Sequence, residues 1–375
     1  MRRVLFVGRT RYTNPLTQTH ERKFSAVGEL LDYRVLGSAA GEGAPERFRL
    51  VPALPSRALD GPLFYVRLPF LVARELRSFR PDAVIAQSPF EGFAALLGRR
   101  LAGSSSKVIL EIHGDWHTAT RLYGSPARAM VAGISDRIAA WAIRRADAIR
   151  SVSQFTAGLV RRLGVEPAAI FHTYSELDAF TADEPAPLPP TPRFAFVGVS
   201  ERYKNVDGLA AAWRRAAPRL PGVKLEVVST GRRVEVLRQL VRDLPAQTVW
   251  HERLEPGEVA AMLDRSWALV LPSFSEGLPR VAIEALARGR PVIGSRAGGI
   301  PDVVEDGVNG LLVPPGDAGA LAEALVRFAD DRVTAERLAR ASRPSVQELL
   351  IPPDVYARRV AELVGRTVDR QAAVV

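Results

Sequence analysis

The chain has 375 residues, no cysteine, a formal net charge of +10 and a mean hydropathy near zero. That length exceeds one ordinary hydrophobic core and predicts two domains of roughly 150 to 190 residues. The composition excludes a disulfide framework, a thiolate metal site and a cysteine nucleophile, and no apolar run approaches the roughly 18 residues needed to span a bilayer.

The opening MRRVLFVGRT is too short in its apolar part for a signal-peptide core. It reads as a first strand over 4–7, and a cytoplasmic location is the expectation. Residues 8–20, GRTRYTNPLTQTH, then read as a loop that brings Arg9, Arg11, Tyr12 and His20 to the strand's carboxyl end. Residues 64–80 (FYVRLPFLVARELRSFR) have two readings. One is a basic surface helix that docks on an anionic membrane; the other is a helix packed on its own sheet with solvated arginines.

Strands are predicted over 83–86, 108–112 and 148–152. Directly after the second come His113, Gly114, Asp115, Trp116 and His117. Two histidines four apart converge on a metal only from a helix, and Gly114 argues for a loop. No metal site is expected. The group reads either as polar contacts for substrate hydroxyls or a reacting phosphate, or as a loop histidine with a structural hydrogen bond.

Residues 181–192, TADEPAPLPPTP, hold five prolines in twelve positions. No regular element forms there, so the segment reads as a semi-rigid connector. The expected organisation is a first domain over 1–180, a linker over 181–193, a second domain over 194–352, and a C-terminal helical stretch over 353–375 packed back on the body.

The second half restarts with a strand over 194–197, then Gly198, Arg202 and Lys204. A lysine in a glycine-started loop at a strand's carboxyl edge suits a diphosphate, but a surface lysine is the plainer reading. Further strands are predicted over 225–228, 268–271 and 291–294. After the last, Gly298 and Gly299 permit either a close backbone approach to a ligand or an ordinary turn, and a helix is predicted over 301–305. Strand and helix alternation throughout predicts an α/β class, with parallel sheets covered by helices on both faces.

The richest stretch is residues 271–315, LPSFSEGLPRVAIEALARGRPVIGSRAGGIPDVVEDGVNGLLVPP. It places Glu276 in a Ser/Gly/Pro loop and Glu284 in the helix that the loop opens. Pro279 suits the helix's first turn, and Gly289 and Pro291 stop it. Two carboxylates beside a helix N-terminus can accept hydrogen bonds from the hydroxyls of a ligand whose phosphates sit on the helix. The arrangement suits a nucleotide-sugar. A Walker loop, a GxGxxG after the first strand, a Gly-x-Ser-x-Gly elbow and HExxH are all absent from the sequence, so P-loop hydrolysis, hydride transfer and serine hydrolysis lose their usual support.

This stretch closely resembles the donor-binding segment of retaining GT-B glycosyltransferases of family four, most specifically over 271–317 and more loosely over 194–254. The resemblance implies two Rossmann-like domains facing across a cleft, the second for a nucleotide diphosphate sugar and the first for the acceptor, with Arg9, Arg11, Tyr12, His20, Asp115 and His117 as its candidate acceptor-side residues. It implies that Glu276, with the backbone of Gly277 and Leu278 beside Pro279, meets the donor sugar, and that Glu284 meets the ribose. Eight positions of loop and helix cover roughly 10 to 15 Å, enough for a sugar, a diphosphate and a ribose. Lys204 matches the phosphate-binding lysine beyond Gly198, His113 the histidine facing the donor sugar, and Arg253 with Leu254 the segment beside the base. Three departures stand out. Val199 replaces a family arginine, leaving Arg202 as its substitute; a second glycine is missing after the first strand; and an Asn-Gly is absent from 172–180.

The implied chemistry is metal-independent transfer to a hydroxyl acceptor with retention, the leaving diphosphate taking the acceptor's proton and no further cofactor being required. The competing expectations are a catalytically silent nucleotide-sugar-binding module, or a glycoside phosphorylase or epimerase on the same fold. Charge is uneven: residues 1–185 carry 25 basic against 18 acidic side chains and the remainder 26 against 23, giving +7 and +3. That bias suits an anionic surface or a phosphorylated acceptor. It is equally the mark of an arginine-rich composition, since only four of 51 basic residues are lysines. Nucleic acid is not expected as a partner.

Overall fold

The computed structural model describes residues 1–53, 57–122, 130 and 132–369. Within them the chain divides into two compact units. The first unit is built on a seven-stranded, all-parallel sheet of β1 (Arg2–Tyr12), β2 (Leu31–Ala39), β3 (Phe48–Val51), β4 (Ala83–Ala86), β5 (Lys107–Ile112), β6 (Ala148–Ser151) and β7 (Ala169–Ile170), in the order β3-β2-β1-β4-β5-β6-β7. The second has six parallel strands, β8 (Arg193–Val197), β9 (Lys224–Val228), β10 (Thr248–His251), β11 (Ala268–Leu271), β12 (Val292–Ser295) and β13 (Gly310–Val313), in the order β10-β9-β8-β11-β12-β13. The strands are short apolar runs, buried along most of their length, as sheets covered on both faces require. The expected α/β class with two Rossmann-like domains is what the chain adopts.

In each order the strand sequence reverses once, between β1 and β4 and between β8 and β11. At such a reversal the loops after the two neighbouring strands diverge and leave a crevice at their carboxyl ends. In the second unit those loops are the ones that carry Lys204 and Glu276.

Three local expectations change. β1 continues to Tyr12, so Arg9, Arg11 and Tyr12 stand on a strand and only the residues beyond it form the loop to the helix Gln18–Leu30. The pairing with β2 shifts between Val7 and Arg11, an irregularity that lets the strand run on past Gly8. Gly8 itself makes room for a side chain: a Cβ there would strike the Gln87 amide. Second, residues 301–303 form a turn rather than the helix expected over 301–305: Asp302 N and Val303 N close three-residue bonds to Gly299 O and Ile300 O, and Val304 N also returns to Ile300 O.

Third, the proline-rich segment, expected as a semi-rigid connector of its own, groups with one of the units. It belongs to the second unit, with Leu188 in that unit's core. Prolines donate no backbone hydrogen bond, and the segment's carbonyls are taken instead by side chains. Trp267 Nε1 donates to Pro189 O at 2.8 Å, Arg332 to Leu188 O and Pro189 O, and Arg343 Nη1 to Asp183 O at 2.7 Å.

The C-terminal helix Pro353–Asp369 groups with the first unit. Its Tyr356, Ala357, Val360 and Leu363 pack into the cluster that holds Phe24 and Val27 of helix Gln18–Leu30. The helix Arg57–Ser78 buries Phe64, Leu68, Val72 and Leu76. It crosses close over helix Pro89–Ala102, where a side chain at Gly98 would meet Pro69 O and Val72. Among the described residues no helix is long and apolar enough to cross a membrane.

Candidate active site

In the second unit, β8 delivers Gly198 and a loop that closes with the single 3-10 turn Arg202–Lys204. Asn205 ends that turn in the left-handed region at φ 54°, and its side chain caps the helix Val206–Ala216 by accepting from Gly208 N at 3.1 Å. The same side chain donates to Pro272 O at 3.1 Å, and Phe274 N donates to Tyr203 O at 2.7 Å. These bonds tie the loop after β8 to the loop after β11 across the reversal. The Gly198 Cα lies along the Lys204 side chain, where a Cβ would sit 3.4 Å from Cε.

The tie brings the predicted residues together. Lys204 Nζ donates to Glu276 Oε1 at 2.6 Å, and Ser273 Oγ donates to the same oxygen at 2.8 Å. Lys204 is 8 % exposed, so it is not the surface lysine that its position in a loop suggests. Glu284 lies on helix Arg280–Ala287, nearly buried, and accepts from Arg280 Nε at 2.7 Å. Burial pushes its carboxyl above the ordinary value, and the positive charges of Arg280 and Lys204 offset only part of that. Pro279 is the residue before the helix, at φ −77° and ψ 94°, so it sets the entry of the chain one position earlier than expected.

The two glycines after β12 serve the site indirectly. Gly298 has φ +57°, and a Cβ on it would come within 2.6 Å of Glu276 O; one on Gly299 would overlap the Gly277 carbonyl. Gly299 N donates to Glu276 O at 2.8 Å. The backbone that approaches these glycines is the Glu276–Gly277 peptide, which they clamp in place.

The remaining residues of the second unit are spread around this centre. Arg202 is exposed on the 3-10 turn, and Val199, at 43 % exposure, points no charge into the loop. Arg253 is exposed and paired with Glu255 at 3.4 Å, while Leu254 is half-buried against the apolar cluster that also takes Leu278. Gly277 and Leu278 are half-buried beside Glu276.

In the first unit, β5 carries Glu111 and ends just before His113. Alternation along an extended chain puts residues two apart on one side, and His113 Nε2 lies 3.0 Å from Glu111 Oε2. Glu111 Oε1 lies 2.9 Å from Arg150 Nη2, both groups being buried. Asp115 is half-buried just before helix Trp116–Leu122, whose half-buried His117 groups with the second unit. Among the described residues no three His, Asp or Glu side chains converge as a metal-binding group.

Arg9 and Arg11 both turn to Asp60, at 2.6 and 3.5 Å. Tyr12 is 2 % exposed and packs on Phe24 and Phe48, with its ring 4.9 Å from that of half-buried His20. Burial, then the charge of Lys23, holds the His20 imidazole below its ordinary value.

Sequence reasoning missed Ser273, Asn205, Arg280, Glu111 and Arg150. Ser273 and Arg280 stand three and four positions from the carboxylates they hold, a spacing the sequence does display. Arg150, buried in a strand 39 positions beyond Glu111, leaves no such local signal.

The family described as "Glycosyl transferases group 1" matches residues 191–331, and the "Glycosyl transferase 4-like domain" matches residues 28–171. A glycogen synthase of Mycobacterium tuberculosis is 29% identical over 279 residues, covering 71% of this chain and 64% of that protein. The match thus spans less than two thirds of that relative's length. Among solved structures, a sucrose-phosphate synthase from Thermosynechococcus elongatus superposes with a TM-score of 0.77 at 19% identity, covering 98% of this chain and 99% of that one. HepE of Anabaena, in complex with UDP-glucose, gives 0.71 at 17% identity over 97% and 99%. At these identities the two structures speak for the fold alone.

Proposed function

Because the chain belongs to the group 1 glycosyltransferases, of the GT-B fold, we propose that it moves a sugar from a nucleotide diphosphate sugar to a hydroxyl acceptor. The observation that carries this is the meeting of Lys204 and Glu276 at the reversal of the second sheet, with Glu284 buried on the adjoining helix. A buried ammonium at a strand's carboxyl edge is placed to neutralise a diphosphate. Two carboxylates on the loop and helix that follow are acceptors for the hydroxyls of the sugar and the ribose.

The reaction proceeds with retention. The bond from the anomeric carbon to the diphosphate oxygen breaks, the acceptor oxygen forms its bond on the same face, and the acceptor's proton passes to the leaving diphosphate. Lys204 and Arg202, with the N–H groups at the start of helix Arg280–Ala287, stabilise the charge that develops there, so no divalent metal takes part. Proton NMR of the product's anomeric centre, with donor consumption followed in excess chelator, tests both points. An inverted anomer, or activity lost to the chelator and restored by a divalent cation, would overturn them.

A binding module without turnover remains the second reading, favoured by Val199 where the family carries an arginine. Slow hydrolysis of any bound donor in the absence of acceptor would remove it. For the first unit, the outer face of helix Arg57–Ser78 presents Val66 and Phe70, each 66 % exposed, among Arg67 and Arg74. This face suits peripheral contact with an anionic membrane.

A further inference from the structure

The first unit contains a buried ionic group that the proposed chemistry leaves unused. Glu111 is 3 % exposed and Arg150 fully buried. Arg150 is fixed from several sides: Nη1 donates to Phe171 O at 3.1 Å, Nη2 to Thr173 Oγ1 at 2.9 Å, and the guanidinium stacks over the Phe171 ring at 4.7 Å. Lys23, itself 6 % exposed, adds a second positive charge, its ammonium 5.3 Å from the Tyr356 ring. A carboxylate beneath an apolar layer, held at one oxygen by an immobile guanidinium, has only its other oxygen to offer. That oxygen faces His113 Nε2 at 3.0 Å.

We infer that Glu111 is a positioning residue for His113, fixing the proton on Nε2 so that Nδ1 stands as a hydrogen-bond acceptor toward a substrate hydroxyl. The inference rests on the proposed transferase reading for the identity of the substrate, but the tautomer itself follows from the geometry. Burial alone would raise the Glu111 carboxyl. Arg150, the hydrogen bond from His113, and Lys23 outweigh it and hold the group at about 2. A carboxylate that stays ionised cannot donate, so the contact requires the imidazole to be the donor through Nε2. The ring is 37 % exposed, and among the described residues Nδ1 has no partner. Arg150 keeps the carboxylate from turning away, and the ring keeps one orientation.

Nitrogen-15 NMR on the full chain reads this directly, without any variant. The neutral His113 ring is expected to show a protonated Nε2 and an unprotonated Nδ1; the opposite tautomer would overturn the inference, whether or not the protein turns out to be a transferase. In turnover, Glu111→Gln is expected to lower kcat roughly 10- to 100-fold, by analogy with the loss of orienting partners of metal-bound histidines, with donor KM changed less than threefold. The same substitution in a His113→Ala background is expected to cost nothing more. An equal loss in both backgrounds would assign Glu111 a purely structural role and defeat the inference. A wild-type chain with the expected tautomer but no turnover on any donor would instead count against the transferase reading.

Discussion

The Lys204 ammonium and the Glu276 carboxylate lie 2.6 Å apart, each about a tenth exposed, although 72 positions separate them in the chain. A lysine so placed is held ready for an anion while its charge is partly balanced. Its partner is the carboxylate assigned to the sugar. The pair therefore couples the two ends of the proposed donor contact, diphosphate and sugar, through one bond.

Replacing Lys204 by Ala removes the balancing charge from Glu276, whose side chain then keeps, among the described residues, the hydroxyl of Ser273. Turnover of the donor is expected to fall roughly 100-fold or more, the scale of a lost charge-stabilising group. Because Lys204 is nearly buried, stability also drops, by about 1 to 3 kcal/mol. Steady-state kinetics beside a thermal melt measures both, and a variant with unchanged turnover would remove Lys204 from the diphosphate.

In the proposed reading Glu284 meets ribose hydroxyls as a carboxylate, and burial raises the pH at which it gains a proton. The carboxylate is therefore lost on acidification earlier than for an exposed group. Donor affinity is expected to begin weakening above pH 4.5, the ordinary value, and Glu284→Gln to bind weakly at every pH without that dependence. A donor KM that stays flat down to the ordinary carboxylate range contradicts the assignment.

Glu111 gives the opposite sign for stability. Its pKa in the folded chain, about 2, lies below the ordinary 4.5. The stability it contributes is complete above the ordinary value and is lost as pH falls through the folded one. The size is on the order of 3 kcal/mol. Urea midpoints between pH 5 and pH 2.5 are expected to fall steeply for the native chain and more gently for Glu111→Gln; parallel slopes would refute this.

Gly298 tests the clamp on the donor loop. Alanine there adds a Cβ at φ +57° against the Glu276 backbone, a cost of about 1 to 3 kcal/mol in strain. The melting temperature and donor turnover are both expected to drop. A fully active, equally stable Gly298→Ala would show that the loop does not depend on it.

For the membrane, exchanging Val66 and Phe70 for serine should at least halve sedimentation with phosphatidylglycerol vesicles at low salt. If the native chain itself does not sediment, no membrane contact exists to explain.

Much of the fold was legible because buried parallel strands are short apolar runs, as at 83–86 and 268–271, with Ser88 and Ser273 two positions past their ends. β2 is masked in the sequence because helix Gln18–Leu30 passes into it without a breaker, even though Leu31, Tyr33 and Val35 alternate in burial with Asp32 and Arg34. β3, β7, β10 and β13 are edge or near-edge strands of two to four residues. At the site, Glu276, Glu284 and Lys204 could be picked out one by one. That Lys204 is buried against Glu276, and that Gly298 and Gly299 clamp a loop, depends on contacts between distant segments that no local pattern carries.

In the proposed function the second unit binds a nucleotide diphosphate through Lys204. Thermal melting of the native chain and of Lys204→Ala, each against a panel of nucleoside diphosphates and their sugars, tests it most directly. A ligand at 100 times its dissociation constant adds about 2.7 kcal/mol to the folded state. At least one nucleoside diphosphate is expected to raise the melting temperature of the native chain, and Lys204→Ala to lose most of the rise. A panel without any shift, or a shift of equal size in the variant, would contradict it.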